Sequence, residues 1–393
     1  MDANRTFARR RDTSIGRLPM AWILLFTAGG VIASRYIALP AGFLAGGFLI
    51  AILMAFATIR HRLAEWYIAA ALLLFGMQLP MLRPQPAYAP QQANALHEAA
   101  SDRIRRLGLS ADSEALALAM AVGDQTELTA ERRAPYNRTG TAHVLAVSGL
   151  HVGMVFLYAN ALLCWLTLLH RGHLLRNIAA ILFIWLFAVT AGLSPGTVRA
   201  AMMFSALQLA LATTSNYTSA NVLAAAAFCM LLWRPSYLFH LGFQLSFLSV
   251  AAILFWGLPI HRRLRTRWSL LNGASGMILV GLAASIATTP LVSHVFGTIP
   301  LAGIIANPPV ILLTYGVVGI SLIWTIIPWP PLGVVIRPLL ETLLSLQDGL
   351  VSAVAASPHA AVEYRMTAAQ MAVSYLFFVI FTLIMWHPWR KKR

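Results

Sequence analysis

Charge is what this sequence has least of. Only 11% of its 393 residues are charged, against about 25% in a soluble domain. With 59% hydrophobic residues and a mean hydropathy of +0.72, a soluble fold is excluded and an integral membrane protein is implied. Lysine is nearly missing, occurring only as Lys391 and Lys392. The two cysteines, Cys164 and Cys229, lie in apolar runs. A disulfide framework and a zinc site are therefore excluded, since both need cysteines in close sets. No Gly-x-x-x-x-Gly-Lys-[Ser/Thr] stretch occurs, so the chain holds no P-loop and any work it does draws energy from elsewhere. Strand-like alternation and fixed-period repeats are missing too, and low complexity is confined to the basic tail.

What charge there is has one sign. The formal net charge is +16, nearly all of it arginine. One account is topology, because basic residues hold loops on the cytoplasmic side. The other is a partner that carries phosphates.

A membrane span needs about 20 predominantly apolar residues. Segments 18–36, 40–58, 64–83, 143–169, 175–192, 236–258, 272–294, 301–327 and 366–386 qualify, and 197–212 and 219–233 are shorter candidates. The expected fold is therefore an all-α polytopic bundle of roughly 10–12 transmembrane helices, some of them broken. Arg5, Arg9, Arg10, Arg11 and Arg17 precede the first run, which reads as a span and not as a cleaved signal peptide. Those arginines belong inside, as do Arg60, Arg62, Arg171, Arg176 and the run Arg262, Arg263, Arg265 and Arg267. Residues 84–142 then fall outside, although they carry Arg103, Arg105, Arg106, Arg132, Arg133 and Arg138. That stretch reads as a proline-stiffened linker (Pro84, Pro86, Pro90) followed by two amphipathic helical runs. Residues 338–355 place Glu341, Ser345, Asp348 and Ser352 on one helical stripe. Such a helix either lies in the interface or crosses with its acidic stripe toward a wet interior, and the pattern leaves both open. The resulting division is 1–83, three N-terminal spans; 84–142, an extracytoplasmic helical segment; 143–327, a core; and 328–393, an amphipathic helix, a last span and a basic tail.

Several motifs put polar groups at membrane depth, where they cost free energy unless they meet partners or water. The run His143-Val-Leu-Ala-Val-Ser148-Gly149-Leu-His151-Val-Gly153 comes first. Its Gly149 and Gly153 make a small-xxx-small face for close helix approach. Its hydroxyl and rings suit either a tight helix crossing or the lining of a pathway. Pro195 and Gly196 break a span just before Arg199, so a half-helix N-terminus and an arginine converge where an anion would be welcome. A snorkelling arginine is the plainer alternative. Gln244 lies inside the run Gly242-Phe-Gln-Leu-Ser-Phe247 and has to hydrogen-bond at depth; the Phe243–Phe247 pair reads first as packing. Thr288-Thr-Pro290 and Asn307-Pro-Pro309 are expected to break later spans, as in discontinuous helices that line a path.

Taken in order, Gly123-Asp124, Gly140-Thr-Ala-His143, Leu145 through Gly153, the turn leading to Arg199-Ala200, Gly242 through Phe247 and Thr289-Pro290 resemble the signature of the ComEC family, over roughly residues 97–325. The resemblance implies an inner-membrane channel passing single-stranded DNA into bacteria during natural transformation. His143, Ser148, Gly149, His151, Gly153, Arg199, Gln244 and Asn307 would then be channel-lining or DNA-contacting residues. It implies no enzyme activity, cofactor or metal. Expected partners are single-stranded DNA, the lipid bilayer, an external DNA receptor, a helicase or ATPase, a separate nuclease and further copies of the chain. Relatives usually carry an extracytoplasmic OB-like domain, for which 84–142 is too short and too helical. Many also end in a metallo-β-lactamase-like domain, whose metal motif this sequence lacks, so the expectation is a channel alone. Two other classes remain open. One is a secondary transporter of a small anion using the same broken helices; the other is a membrane-embedded hydrolase or transferase with Ser148 and a histidine.

Overall fold

The computed structural model describes residues 19–59, 61, 63–82, 94–212 and 218–386. The N-terminal arginines, Arg60, Arg62, the three linker prolines and the basic C-terminal tail lie outside those residues. The described chain is almost wholly helical, as its apolar runs require, because a helix satisfies every backbone group within the segment. Six helices are long and apolar enough to cross a membrane: Leu63–Leu82, Gly172–Thr190, Leu241–Arg263, Leu271–Phe296, Gly303–Ile326 and Ala368–Met385. Four shorter apolar helices accompany them, Pro19–Ala33, Ala41–Ala57, Gly149–Leu162 and Ser219–Trp233. The fold is that of an all-α polytopic membrane protein.

In chain order the helices are α1 (Pro19–Ala33), α2 (Ala41–Ala57), α3 (Leu63–Leu82), α4 (Ala95–Arg105), α5 (Ala111–Ala121), α6 (Ala130–Thr139), α7 (Gly149–Leu162), α8 (Gly172–Thr190), α9 (Pro195–Ala212), α10 (Ser219–Trp233), α11 (Leu241–Ala252), α12 (Leu258–Arg263), α13 (Ser269–Phe296), α14 (Gly303–Ile326), α15 (Pro330–Ala355) and α16 (Ala368–Trp386). A π-helical turn, Ile253–Gly257, joins α11 to α12. The strands are β1 (Thr298–Ile299) and β2 (Val362–Glu363), an antiparallel pair two residues long.

The chain separates into two compact units, residues 1–90 with 205–244, and residues 91–204 with 245–393. In the first, α3 packs between α1 and α2. A side chain at Gly30 would fall 2.9 Å from Gly76 Cα, so the backbones of α1 and α3 touch through missing side chains. Gln78 Nε2 donates to Leu44 O at 3.1 Å and ties α3 to α2.

The second unit is built around α14 and α15. Ile104, Leu116, Leu118, Met120 and Tyr136 from α4, α5 and α6 share one core with Val310, Val317 and Trp324 of α14 and Leu340, Leu344 and Val351 of α15. The helical segment before residue 142 therefore packs on later helices and does not stand apart as a linker. Side chains stitch it there. Trp324 Nε1 donates to Arg103 O at 2.7 Å, and the Arg103 guanidinium returns to Thr325 O, taking up a carbonyl that the end of α14 leaves open. Asn94 Nδ2 reaches Val189 O at 2.7 Å and His97 Nδ1 lies 3.0 Å from Thr190 O, doing the same for the end of α8.

Residues 338–355 belong to α15, and two carboxylates of their polar stripe meet protein partners. Helix α15 is not among the six long apolar helices. Its Glu341 accepts from Ser110 N–H at 2.9 Å, and its Asp348 accepts from Arg132 at 2.8 Å while Arg132 also pairs with Asp112. The acidic stripe is a docking strip for α5 and α6. Beside it the Tyr136 phenol is fully buried; burial and the neighbouring Asp348 carboxylate push its pKa up.

Two expectations fail. Helix α13 runs unbroken through Pro290 and α14 through Pro308 and Pro309. Thr288 and Thr289 hydroxyls donate to Ala284 O and Ser285 O at 2.9 and 2.7 Å, adding bonds to the turn just before Pro290, whose missing N–H forgoes one bond to Ile286 O. Pro308 and Pro309 fall early in α14, close to the turns whose amides lack intrahelical partners in any case. The 143–169 run is also not one helix. Helix α7 covers only Gly149–Leu162, followed by a tight turn over Cys164–Leu168.

Gly123-Asp124 ends α5. Gly123 takes φ +86°, and Asp124 accepts from Thr126 N–H and Oγ1 and from Arg105. Burial alone would raise the Asp124 pKa; the Thr126 hydrogen bonds and the Arg105 charge outweigh it and hold the carboxyl below its ordinary value. A lowered folded pKa supplies stability above the unfolded pKa that is lost as pH falls through the folded one. The Tm of the purified protein in detergent is therefore expected to drop as pH falls below about 4. Asp124→Asn should lower Tm at neutral pH and flatten that acid limb, as a Tm-against-pH series will show.

Candidate functional site

Ser148 is where the first motif becomes helix. Its extended backbone and side chain cap α7, with Leu150 N–H donating to Oγ at 3.3 Å. His151 closes a capping box: Ser148 N–H donates to its Nδ1 at 3.3 Å, and Ser148 Oγ lies 3.1 Å from the same nitrogen. His151 is completely buried, and its Nε2 has no hydrogen-bond partner among the described residues. The sequence Ser-Gly-Leu-His is thus first a helix start in which an imidazole stands where Glu or Gln usually serves.

The second motif starts α9 beside it. Gly192 and Leu193 both take positive φ, +70° and +51°, which turns the chain sharply after α8. Ser194 then caps α9, accepting from Thr197 N–H at 3.3 Å, with Pro195 entering the first turn where its missing N–H costs nothing. A side chain at Gly196 would lie 3.4 Å from Val147 O and 3.7 Å from a guanidinium nitrogen of Arg199. Arg199 therefore folds back over the first turn of its own helix, toward the residues that precede Ser148. It is only 8% exposed, which is the burial of a packed residue and not of an arginine snorkelling along a lipid face.

The glycine pair acts as its spacing promised. A side chain at Gly149 would sit 3.7 Å from Ala200 Cβ, and one at Gly153 would sit 3.0 Å from the edge of the Phe204 ring. Residues 149 and 153 of α7 thus face 200 and 204 of α9, one turn apart on each helix. The Phe156 and Phe204 rings stack at 5.0 Å and extend the seam.

His143 sits before the helix, in a tight turn over Ala142–Val144. It is exposed, with Nδ1 3.2 Å from Gly140 O. Gly140 takes φ +71°, and a side chain there would collide with Pro300 at 2.8 Å. One at Gly303 would lie 3.1 Å from Thr139 O and 3.3 Å from Asn307 Nδ2. Asn307 Oδ1 is buried and unpaired among the described residues. The Gly140 turn, which precedes His143, is therefore packed against the start of α14, the helix that carries Asn307.

His143, Ser148, Gly149, His151, Gly153, Arg199 and Asn307 all belong to that unit. Gln244 does not: it lies in the first, where its Nε2 donates to Leu238 O at 3.0 Å and closes the turn into α11. Phe243 is buried and so offers no open stacking platform. Sequence reasoning missed Thr139 and Thr141, completely buried with their hydroxyls 2.8 Å apart. It also missed Tyr158, whose hydroxyl donates to Tyr315 O at 2.6 Å and ties α7 to α14. A Thr-Gly-Thr string is the only local sign of the first pair. No cluster of three or more metal-ligating side chains occurs among the described residues.

Apolar helices enclosing one buried arginine, a buried histidine and two capped helix starts define a polytopic α-helical membrane protein with a polar interior. The family model described as Competence protein matches residues 120–390, and the chain belongs to that family. It is 28% identical over 188 residues to ComE operon protein 3 of Bacillus subtilis (strain 168), a match covering 48% of this chain and 23% of that protein. It is 30% identical over 220 residues to an uncharacterized protein of Aquifex aeolicus (strain VF5), covering 55% and 49%. It is 28% identical over 234 residues to Competence protein ComA of Neisseria gonorrhoeae, covering 57% and 32%. The chain thus spans less than half the length of each. No solved structure matches it.

The seam ranks its substitutions. Gly153→Ala should destabilise more than Gly149→Ala, because its methyl meets the Phe204 ring and overpacking costs about 1–3 kcal/mol. Ser148→Ala should cost about 1 kcal/mol as a lost helix cap. Thermal unfolding of the detergent-purified variants measures this order directly.

Proposed function

We propose that the chain forms the membrane conduit through which single-stranded DNA crosses the bacterial inner membrane during natural transformation. The observation that carries this reading is electrostatic. No aspartate or glutamate occurs between Glu131 and Glu341, an interval that holds the motif core and most of the family match. A carboxylate at membrane depth would repel each passing phosphate, and weak screening in a low dielectric would make that repulsion large. Arg199, buried beside the starts of α7 and α9, supplies the opposite sign. Two helix N-termini add partial positive charge at the same place. His143, Ser148, His151 and Asn307 offer neutral polar groups around it, while Gln244 would act in the first unit. Membership of the Competence protein family, and a relative named Competence protein ComA, point the same way. The driving force, the receptor and any nuclease would come from other proteins.

The same charge pattern disfavours a proton- or cation-coupled transporter, which typically relies on intramembrane carboxylates. A small-anion transporter would use the same arginine. It differs in needing a closed small site instead of a path wide enough for a nucleotide. A hydrolase reading draws on one observation, the 3.1 Å approach of Ser148 Oγ to His151 Nδ1. Against it, Ser148 N–H donates to that same nitrogen, and the far side of the ring has no orienting partner among the described residues. A base needs such a partner to be held in line.

Deleting the gene from a transformable host should leave DNA bound outside the inner membrane and abolish cytoplasmic arrival of labelled DNA. Normal arrival would remove the conduit reading. Among inserted variants, Arg199→Lys should keep part of the transport, since lysine supplies charge without the bidentate fork. Arg199→Ala should lose about tenfold or more, the scale of a charge-assisted hydrogen bond, and Arg199→Glu should be worst. Equal transport by Arg199→Ala and wild type would strip Arg199 of its phosphate role. Loss of transport in a folded, inserted Ser148→Ala protein would favour the nucleophile.

A further inference from the structure

The turn between α12 and α13 carries Arg262, Arg263, Arg265 and Arg267, all exposed, with Leu264 57% and Trp268 72% exposed among them. It joins two helices long enough to span, Leu241–Arg263 and Leu271–Phe296. A connection that short keeps the whole cluster at one membrane surface. As a topology signal these arginines would need only their charge, on any loop conformation. This loop is instead folded. Asn272 Oδ1 accepts from Thr266 N–H at 2.8 Å, and Asn272 Nδ2 donates to Thr266 O at 2.7 Å. One side chain therefore brackets both backbone groups of the residue between Arg265 and Arg267. Trp268 N–H adds a bond to Thr266 Oγ1 at 3.4 Å. Neighbouring sequence supplies no counter-charge, with no acidic residue between Glu131 and Glu341. Among the described residues no ion pair engages Arg262, Arg265 or Arg267.

We infer that this turn is a binding site for the phosphodiester headgroup of an anionic phospholipid. Guanidinium forks hold phosphate oxygens bidentately, and Trp268 with Leu264 enters the interfacial layer, where an indole finds both an apolar body and a wet edge. Basic clusters beside a span attract anionic lipid by about fivefold in affinity per residue. The ordered turn adds position to that charge. The site rests on its own charge and turn geometry and not on the DNA reading; of the residues named in that reading, Gln244 alone lies on this helix pair, on the Leu241–Arg263 helix.

Free phosphate and DNA carry the same chemistry, so the test separates the sources. The purified full chain in a neutral detergent is titrated with phosphatidylglycerol, phosphatidylcholine, inorganic phosphate and a single-stranded oligonucleotide. Bound lipid is followed by native mass spectrometry and stability by Tm. Phosphatidylglycerol should be retained and raise Tm, while phosphatidylcholine and phosphate do neither and the oligonucleotide fails to displace the lipid. The double substitution R265Q/R267Q should lower phosphatidylglycerol affinity by about 30-fold. It keeps Arg262 and Arg263 to hold the topology, and its Tm in detergent alone reports on folding. Asn272→Ala, with every charge intact, should lose part of the affinity. Equal lipid retention by wild type and R265Q/R267Q would overturn the site, as would displacement by the oligonucleotide or by phosphate. Full retention by Asn272→Ala would also overturn it, because charge alone would then recruit the lipid.

Discussion

The ends of the helices are the constraint on which this structure depends. In a membrane no solvent is at hand to take up the open amides and carbonyls of a helix terminus, so each has to find a partner inside the protein. Here the partners are side chains, some local and some from distant parts of the sequence. Asn94 and His97 close the end of α8, Arg103 closes the end of α14, and Ser148 with His151 closes the start of α7. These bonds explain why the helices before residue 142 pack where they do. Two motifs with no obvious relation in sequence, Ser148–His151 and Ser194–Arg199, meet as neighbouring helix starts through the close approaches at Gly149, Gly153 and Gly196.

Charge segregation is the second organising feature, and it follows from the first. Carboxylates gather where arginines need partners: Asp102, Asp124 and Glu127 around Arg105, and Asp112 and Asp348 around Arg132. Several of the arginines that run against the positive-inside pattern are thereby used structurally, in the bundle formed by α4, α5, α6 and α15. From Arg132 to Leu340 the chain is free of acids. The bundle is thus held by balanced pairs, while the core around Arg199 draws no carboxylate from its own stretch of sequence.

Close packing sets the shape of the core. Gly149 and Gly153 let α9 approach α7, and Gly140 lets Pro300 press on the turn that carries His143. In lipid, attraction between helices comes from such contact and not from expelled water. A methyl group in the wrong place is therefore felt directly at the site. The Thr139–Thr141 pair and Tyr158 complete the scaffold, satisfying hydroxyls where water is excluded.

Composition and hydropathy by themselves determined that this is an all-helical membrane protein, because apolar runs near bilayer length admit no other solution. They also located the span break at Pro195–Gly196, since proline and glycine there act on the local backbone. Spacing alone identified the Gly149–Gly153 face, a property of one helix. Tertiary structure alone decided the rest. Pro290 and Asn307-Pro-Pro309 read as breaks, yet α13 and α14 run through them, because a proline costs a helix one hydrogen bond and local strain, which surrounding packing can outweigh. The acidic stripe of α15 read equally well as interfacial or crossing; its partners, Ser110 and Arg132, lie more than 200 positions away and no local pattern named them. Ser148 and His151 pointed to chemistry but serve first as a helix cap, a role fixed by where α7 begins. Arg199 and Asn307 drew notice as polar residues at depth. What each of them faces was settled by long-range packing, which no local pattern in the chain encodes.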